Sequence, residues 1–277
     1  KRQKHVFTTL LVDREQAKAV IEHPHVRAVT LTGSTRAGKA VAATAGAVLK
    51  KCVLELGGSD AYLVLEDADL EVAATKCAQS RLLNAGQSCI SAKRFLVHKS
   101  VLEPFTELLL AKFKQQVMGD PLESTTTIGP MARTDLRDEL HAQVQRSLDA
   151  GATCLLGGEL PDLPGAYYPP TILTDVQPGM PAFDEELFGP VAAIIAVDSL
   201  EQAIELANQS EFGLGGGIFS ADVAKAEQIA STEIDSGACF VNDFVKSDPR
   251  LPFGGVKDSG YGRELSEQGI HEFVNVK

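Results

Sequence analysis

Glu55 lies in Val53-Leu-Glu-Leu-Gly-Gly58, and Cys89 closes Asn84-Ala-Gly-Gln-Ser-Cys89, 34 residues further on. A carboxylate set inside an apolar strand has its pKa raised by burial and is poised to take a proton from water near neutral pH, as a general base must. The same acid could instead face Lys50 or Lys51 in a buried ion pair. Gly86 breaks the turn ahead of Cys89 and presents it on a loop, where an exposed thiol can act as a nucleophile; Lys93 and Arg94 are near enough in sequence to favour the thiolate. Taken alone, a single cysteine is more often a small buried hydrophobe. A third segment, Gly33-Ser-Thr-Arg-Ala-Gly38, falls between strand and helix. A helix N-terminus there could hold a phosphate; the local alternative is a tight turn with Ser34 or Thr35 as N-cap.

The elements that must position these groups alternate along the chain. Val26 to Thr32 reads as a β-branched strand, followed by a turn and an Ala- and Lys-rich helix to about Leu49. Strands are expected at Lys51 to Leu56 and Ala61 to Leu65, then a helix from Asp69 to Asn84 with acids in its first turn. The alternation continues through Arg94 to Val97, Leu102 to Val117, Thr134 to Ala150, Val191 to Val197, Leu200 to Asn208 and Ala221 to Ile234. This order predicts an α/β fold with a mainly parallel sheet. Gly- and Pro-bearing loops collect between about Gly157 and Pro181 and between Asn242 and Gly262, common hosts for binding and catalytic groups.

The 277 residues suffice for one large domain or two modest ones. Acidic residues outnumber basic ones 37 to 26, and the net charge of -11 argues against nucleic acid and anionic lipid surfaces as partners. The apolar stretch Val191 to Val197 is far shorter than the roughly 20 residues of a membrane-spanning helix, so no membrane partner is expected. Cys52, Cys77, Cys89, Cys154 and Cys239 are odd in number and form no CxxC pair, which suits a reducing cytoplasm and predicts neither metal site nor disulfide framework.

Five ordered motifs change the weight of each segment: LTGSTRAG at 31–38, LELGG at 54–58, NAGQSC at 84–89, EELFGP at 185–190 and LPFGGVKDSGYGRE at 251–264. With them the chain resembles the aldehyde dehydrogenase superfamily from about Val6 to its last residue. The resemblance implies Cys89 as the nucleophile that attacks an aldehyde carbon, its backbone N–H meeting part of the oxyanion, and Glu55 as the base for the water that hydrolyses the thioester. It implies NAD or NADP as cofactor, with Gly33 and Ser34 at the pyrophosphate, Leu56 and Gly57 beside them, Glu186 on the nicotinamide ribose and Phe188 against the ring. An ordinary solvated acid is the alternative for Glu186. Phe253 resembles the aromatic wall of a substrate tunnel. Glu264 resembles a second acid on a proton path to Glu55, although Arg263 offers it a plain ion pair.

Within the family, LELGGSD, AKRF, GPMARTDLRDELH and YYPPTIL resemble bacterial succinate-semialdehyde dehydrogenases. A substrate carboxylate would call for a cation or hydroxyl deep in the tunnel, with Arg81 and Ser247 as candidates. Where some members carry an arginine six residues before the cysteine this chain has Leu83, and where some carry a second cysteine two residues after it stands Ser91. Against the family, the chain reads as a C-terminal fragment: residues 1–57 the rear of a Rossmann-like cofactor domain, 58–258 the catalytic domain, and 259–277 a segment leading to an oligomerisation strand. The full-length protein is expected to be a cytoplasmic homo-oligomer, dimer or tetramer, acting on a small aldehyde, and the fragment alone to be nearly inactive. A noncatalytic relative and an enzyme that passes its acyl group to coenzyme A are the alternatives.

Overall fold

A computed structural model describes residues 6–277. The chain opens with a helix absent from the sequence reading, α1 (Arg14–Glu22), whose start is set by a reciprocal cap: Asp13 accepts from the Gln16 amide and Gln16 from the Asp13 amide. Strand β1 (Ala28–Thr32), helix α2 (Thr35–Ala47) and strand β2 (Lys51–Glu55) follow. β1 and β2 pair in parallel and α2 packs against both, a strand-helix-strand unit.

The larger unit holds β3 (Ala61–Val64), α3 (Leu70–Leu82), β4 (Arg94–His98), α4 (Leu102–Lys114), α5 (Thr134–Asp149), β5 (Thr153–Leu156), β6 (Thr171–Thr174), α6 (Pro181–Asp184), β7 (Val191–Val197), α7 (Leu200–Asn208), β8 (Phe212–Gly213), β9 (Gly215–Phe219), α8 (Val223–Thr232) and β10 (Ala238–Val241). Its seven-stranded sheet runs β10-β9-β3-β4-β7-β6-β5, parallel throughout except for the β5–β6 edge. The fold is thus α/β with a mainly parallel sheet, as the alternation predicts. Strand periodicity divides the core: Leu63, Leu96 and Ile195 face the layer of α5, α7 and α8, while Tyr62, Val64, Phe95 and Val97 face α3 and α4. Each such fully buried side chain contributes about 1.5–3 kcal/mol.

Two loop regions contain strands that composition concealed. β6 lies inside the 157–181 stretch, and the last loop region carries β11 (Val256–Lys257) and β12 (Gly260–Tyr261) ahead of α9 (Ser266–His271). β11 pairs with β8, and β12 returns to pair antiparallel with β2. Gly-Gly-Gly-Ile-Phe in β9 escapes propensity reasoning because glycine is a poor strand former. Here the missing side chains make room: a β-carbon at Gly217 would lie 3.0 Å from the Tyr62 ring, and one at Gly215 would lie 2.4 Å from Asp60 Oδ2.

Candidate active site

The end of β2, the turn after α3, the loop after α6 and one face of α5 enclose a cavity of about 620 Å³. Gly33, Ser34, Leu56, Gly57, Glu186 and Phe188 all line it, and so does Cys89. The structure therefore brings together every residue expected at the cofactor and the expected nucleophile. Ser34 serves both readings of its segment, accepting the Ala37 amide at 3.3 Å as N-cap of α2 while it lines the cavity. The 13-residue α2 therefore starts at the cavity and turns its positive end toward it.

Glu186 is held where β2 ends: its Oε1 accepts the Gly58 amide at 3.0 Å. A β-carbon at Gly57 would lie 2.5 Å from Glu186 Oε2, so the first glycine after Glu55 is a close approach that clears the carboxylate. Gln143 on α5 supports the same loop, donating to the Glu186 carbonyl and to Glu185 Oε2. Ser259 fixes the other side, donating to the Gly57 carbonyl at 2.6 Å and accepting from the Gly213 amide. Gln143 lies outside the quoted motifs, and Ser259, though inside the 251–264 motif, shows no sign of this role; only the return of β12 beside β2 brings it there.

Cys89 sits beyond a tight turn. Asn84, Ala85 and Gly86 all have positive φ, and a β-carbon at Gly86 would strike the Gly189 carbonyl. Burial pushes the Cys89 thiol up; Lys93 opposes this, and Asp60, Glu186 and Glu55 add to it. The nearby cation expected to favour thiolate is present, but in this arrangement desolvation outweighs it. Arg94 faces elsewhere, donating to the carbonyls of Ser59, Leu206 and Ala207.

Glu55 is 1% exposed and neither carboxylate oxygen has a hydrogen-bond partner. Burial first, then the charge of Glu264, raise its pKa to about 7, with Arg263 opposing. The ion-pair alternative fails, because Lys50 donates to the carbonyls of Ile21 and His23 and Lys51 pairs with Glu272. Glu55 does not line the cavity; a β-carbon at Gly254 would stand 2.9 Å from its Oε1, so the Pro252-Phe-Gly-Gly255 segment lies over it. Glu264 accepts from Thr30 Oγ1 at 3.1 Å, and Arg263 turns instead to the carbonyls of Gly255 and Gly262, so the plain ion pair between neighbours does not form.

The substrate candidates are not gathered with the rest. Arg81 is completely buried and donates through Nη2 to the Gly86 carbonyl at 2.5 Å, so it supports the turn and does not face the cavity as a free cation. The α3 helix turns it inward against this turn, and its Nε and Nη1 have no hydrogen-bond partner. Ser247 is exposed, and Phe253 is half-buried, bridged to Glu264 through the backbone. Neither belongs to the lining of this cavity.

The residues present fit a nicotinamide dinucleotide. A helix N-terminus suits a pyrophosphate, a carboxylate anchored by a backbone amide suits ribose hydroxyls, and the partly exposed Phe188 offers a face to a ring. Among the described residues no cluster of three His, Cys, Asp or Glu could hold a metal ion, and no helix is long and apolar enough to cross a membrane.

Comparison with known proteins agrees with the geometry. Residues 3–277 match the model of the aldehyde dehydrogenase family. The chain is 51% identical over 272 residues to a succinate semialdehyde dehydrogenase (NAD(P)+) of Escherichia coli, covering 98% of this chain and 59% of the relative. It is 47% identical to a succinate-semialdehyde dehydrogenase (NADP(+)) of Deinococcus radiodurans, covering 98% and 57%. Among solved structures it superposes on succinic semialdehyde dehydrogenase from Streptococcus pyogenes in complex with NADP+ with a TM-score of 0.93 at 44% identity, covering 96% of this chain and 58% of that one. The chain thus spans about three-fifths of the length of the curated relatives it matches.

Proposed function

Because the chain belongs to the aldehyde dehydrogenase family, we propose that the intact protein oxidises an aldehyde to a carboxylic acid with NAD or NADP, and that its substrate is succinate semialdehyde. The observation that carries this reading is the single cavity shared by Cys89 and the six residues suited to a dinucleotide. The names and the 51% and 47% identities of the relatives support the substrate.

In this mechanism Cys89, as thiolate, forms a carbon–sulfur bond to the aldehyde carbon, and the carbonyl electron pair moves to oxygen. The Cys89 N–H meets that oxyanion as one donor of the hole. A dinucleotide held by Ser34, Gly57, Glu186 and Phe188 would supply the hydride acceptor, and loss of hydride from the oxyanion-bearing carbon leaves a thioester on Cys89. Glu55 then takes a proton from water as it attacks, the carbon–sulfur bond breaks, and the acid leaves with the thiol restored. A carboxyl whose pKa stands at about 7 is matched to this task at neutral pH. Glu264, whose charge is felt by Glu55, passes the proton outward. Ser247 and Phe253 remain the residues assigned to the substrate side.

The division into a cofactor part (1–57), a catalytic part (58–258) and a C-terminal segment (259–277) belongs to the same proposal, with the addition that β12 ties the third part to the first. The 277-residue chain by itself is expected to turn over little, since it spans only about three-fifths of the length of its curated relatives. The test is a panel of aldehydes with NAD and with NADP on the intact protein. Preference for an aldehyde lacking a carboxylate would overturn the substrate assignment, and no reduction of either cofactor would overturn the enzyme.

A further inference from the structure

Lys93 has no part in the chemistry above, yet it is buried among the groups that perform it. Its side chain is 1% exposed. The ammonium donates to the carbonyls of Ser88 at 3.1 Å, Cys89 at 2.9 Å and Ser91 at 3.1 Å, and stands 3.8 Å from Glu186 Oε1. Three protons and three carbonyls of one turn satisfy a charge that would otherwise be costly to bury. Arg81 donates to the Gly86 carbonyl at the front of the turn, its Nε and Nη1 having no hydrogen-bond partner. With these carbonyls drawn toward two buried cations, the Cys89 N–H is taken by no protein acceptor among the described residues. The charged or titratable groups that act on Lys93 are Glu186 from the loop after α6, Arg81 from α3, Asp60 ahead of β3 and Cys89 from its own turn.

We infer that Lys93 is a positioning residue for the nucleophile: its ammonium ties the backbone of residues 88–91 to the Glu186 carboxylate, so one buried cation sets both the Cys89 turn and the acid meant for the cofactor. This rests on the reading of Cys89 as nucleophile and Glu186 as cofactor ligand. Two consequences follow from charge alone. Among the described residues, Lys93 is the one group acting on Cys89 that lowers its thiol pKa, and Glu186 raises it. Glu186 therefore competes with the thiolate for the same cation. Burial lowers the Lys93 pKa to about 8, which leaves the charge in place at neutral pH.

The experiment follows alkylation of Cys89 by iodoacetamide across pH, read on the Cys89 peptide by mass spectrometry, in the intact protein and in Lys93→Met and Glu186→Gln variants. Methionine keeps the length and apolar character of the stem but has no charge and no donor. Reaction of Lys93→Met near pH 7.5 should be about tenfold slower, and the difference should shrink above about pH 8, where Lys93 loses its charge. Glu186→Gln should move the midpoint down, with roughly threefold faster reaction. A Lys93→Met profile with an unchanged midpoint and a uniformly lower rate would mark a merely structural lysine and overturn the inference. If Lys93→Met does not fold, Glu186→Gln decides alone, because that side chain is partly exposed and an unshifted profile there overturns the inference too. Failure of the underlying reading shows separately in the unmutated protein, where Cys89 would then not be the fast-reacting thiol.

Discussion

Gly86 lies directly against Gly189: a β-carbon at Gly86 would stand 2.2 Å from the Gly189 carbonyl oxygen. The turn that presents Cys89 is therefore packed backbone to backbone on the loop that carries Glu186. Gly86 also has φ +73°, which an L side chain rarely adopts. Gly86→Ala is expected to cost about 3 kcal/mol or more in denaturant melts and to abolish fast Cys89 labelling. A melt within about 0.5 kcal/mol of the unmutated protein would contradict the packing argument.

Gly57→Ala should behave differently. The atom in its way, at 2.5 Å, is the end of the Glu186 side chain, which can swing aside. Stability should fall by less than about 1 kcal/mol, while the dissociation constant for NAD or NADP rises about tenfold as Glu186 is displaced. Calorimetric titration of the intact variant checks both halves; unchanged cofactor affinity would remove Glu186 from the cofactor site.

Glu55→Gln should separate the two half-reactions. With no base for water, the intact variant should release one equivalent of reduced cofactor in a burst and then stall as an acyl-enzyme, visible as a mass increase on Cys89. Steady turnover unaffected by the change would favour transfer of the acyl group to an acceptor other than water.

The same substitution predicts a pH-dependent gain in stability. Glu55 keeps its proton to about pH 7 in the folded chain, against 4.5 for an ordinary glutamate carboxyl. Its contribution is thus fully present below about pH 4.5 and is lost as the pH rises through about 7. Glu55→Gln removes that loss, so the variant should exceed the unmutated protein by about 1–2 kcal/mol at pH 8.5, allowing for water reaching the carboxyl, and by nothing near pH 4.5. Urea melts at the two pH values measure it. An equal difference at both would mean that the carboxyl titrates normally.

Thiol labelling should single out Cys89 from the other four cysteines. Burial raises Cys77 well above its usual value and Cys239 to about 12, and it also raises Cys52 and Cys154. Cys89 alone opens on the large cavity and has Lys93 opposing its shift. Its alkylation should be about tenfold faster than that of any other cysteine, and equal rates would favour a noncatalytic protein.

What the sequence determined by itself was local. The alternation of apolar strands and amphipathic helices dictates an α/β fold because periods of 2 and 3.6 are properties of single elements. The Gly86 break before Cys89, the Ser34 cap and the apolar setting of Glu55 are likewise legible within a few residues. The glycine strand β9 and the short strands β11 and β12 were not, since their pairing and not their composition makes them strands. Tertiary structure alone decided partnership. It sent Lys50 and Lys51 away from Glu55, turned Arg81 into the turn before Cys89, and brought Ser259 to the Gly57 carbonyl from 202 positions away. It also made Lys93, read in the sequence only as a nearby charge, the cation shared by Cys89 and Glu186. A buried charge must find its partners wherever the chain folds them, and that search is not written in spacing along the chain.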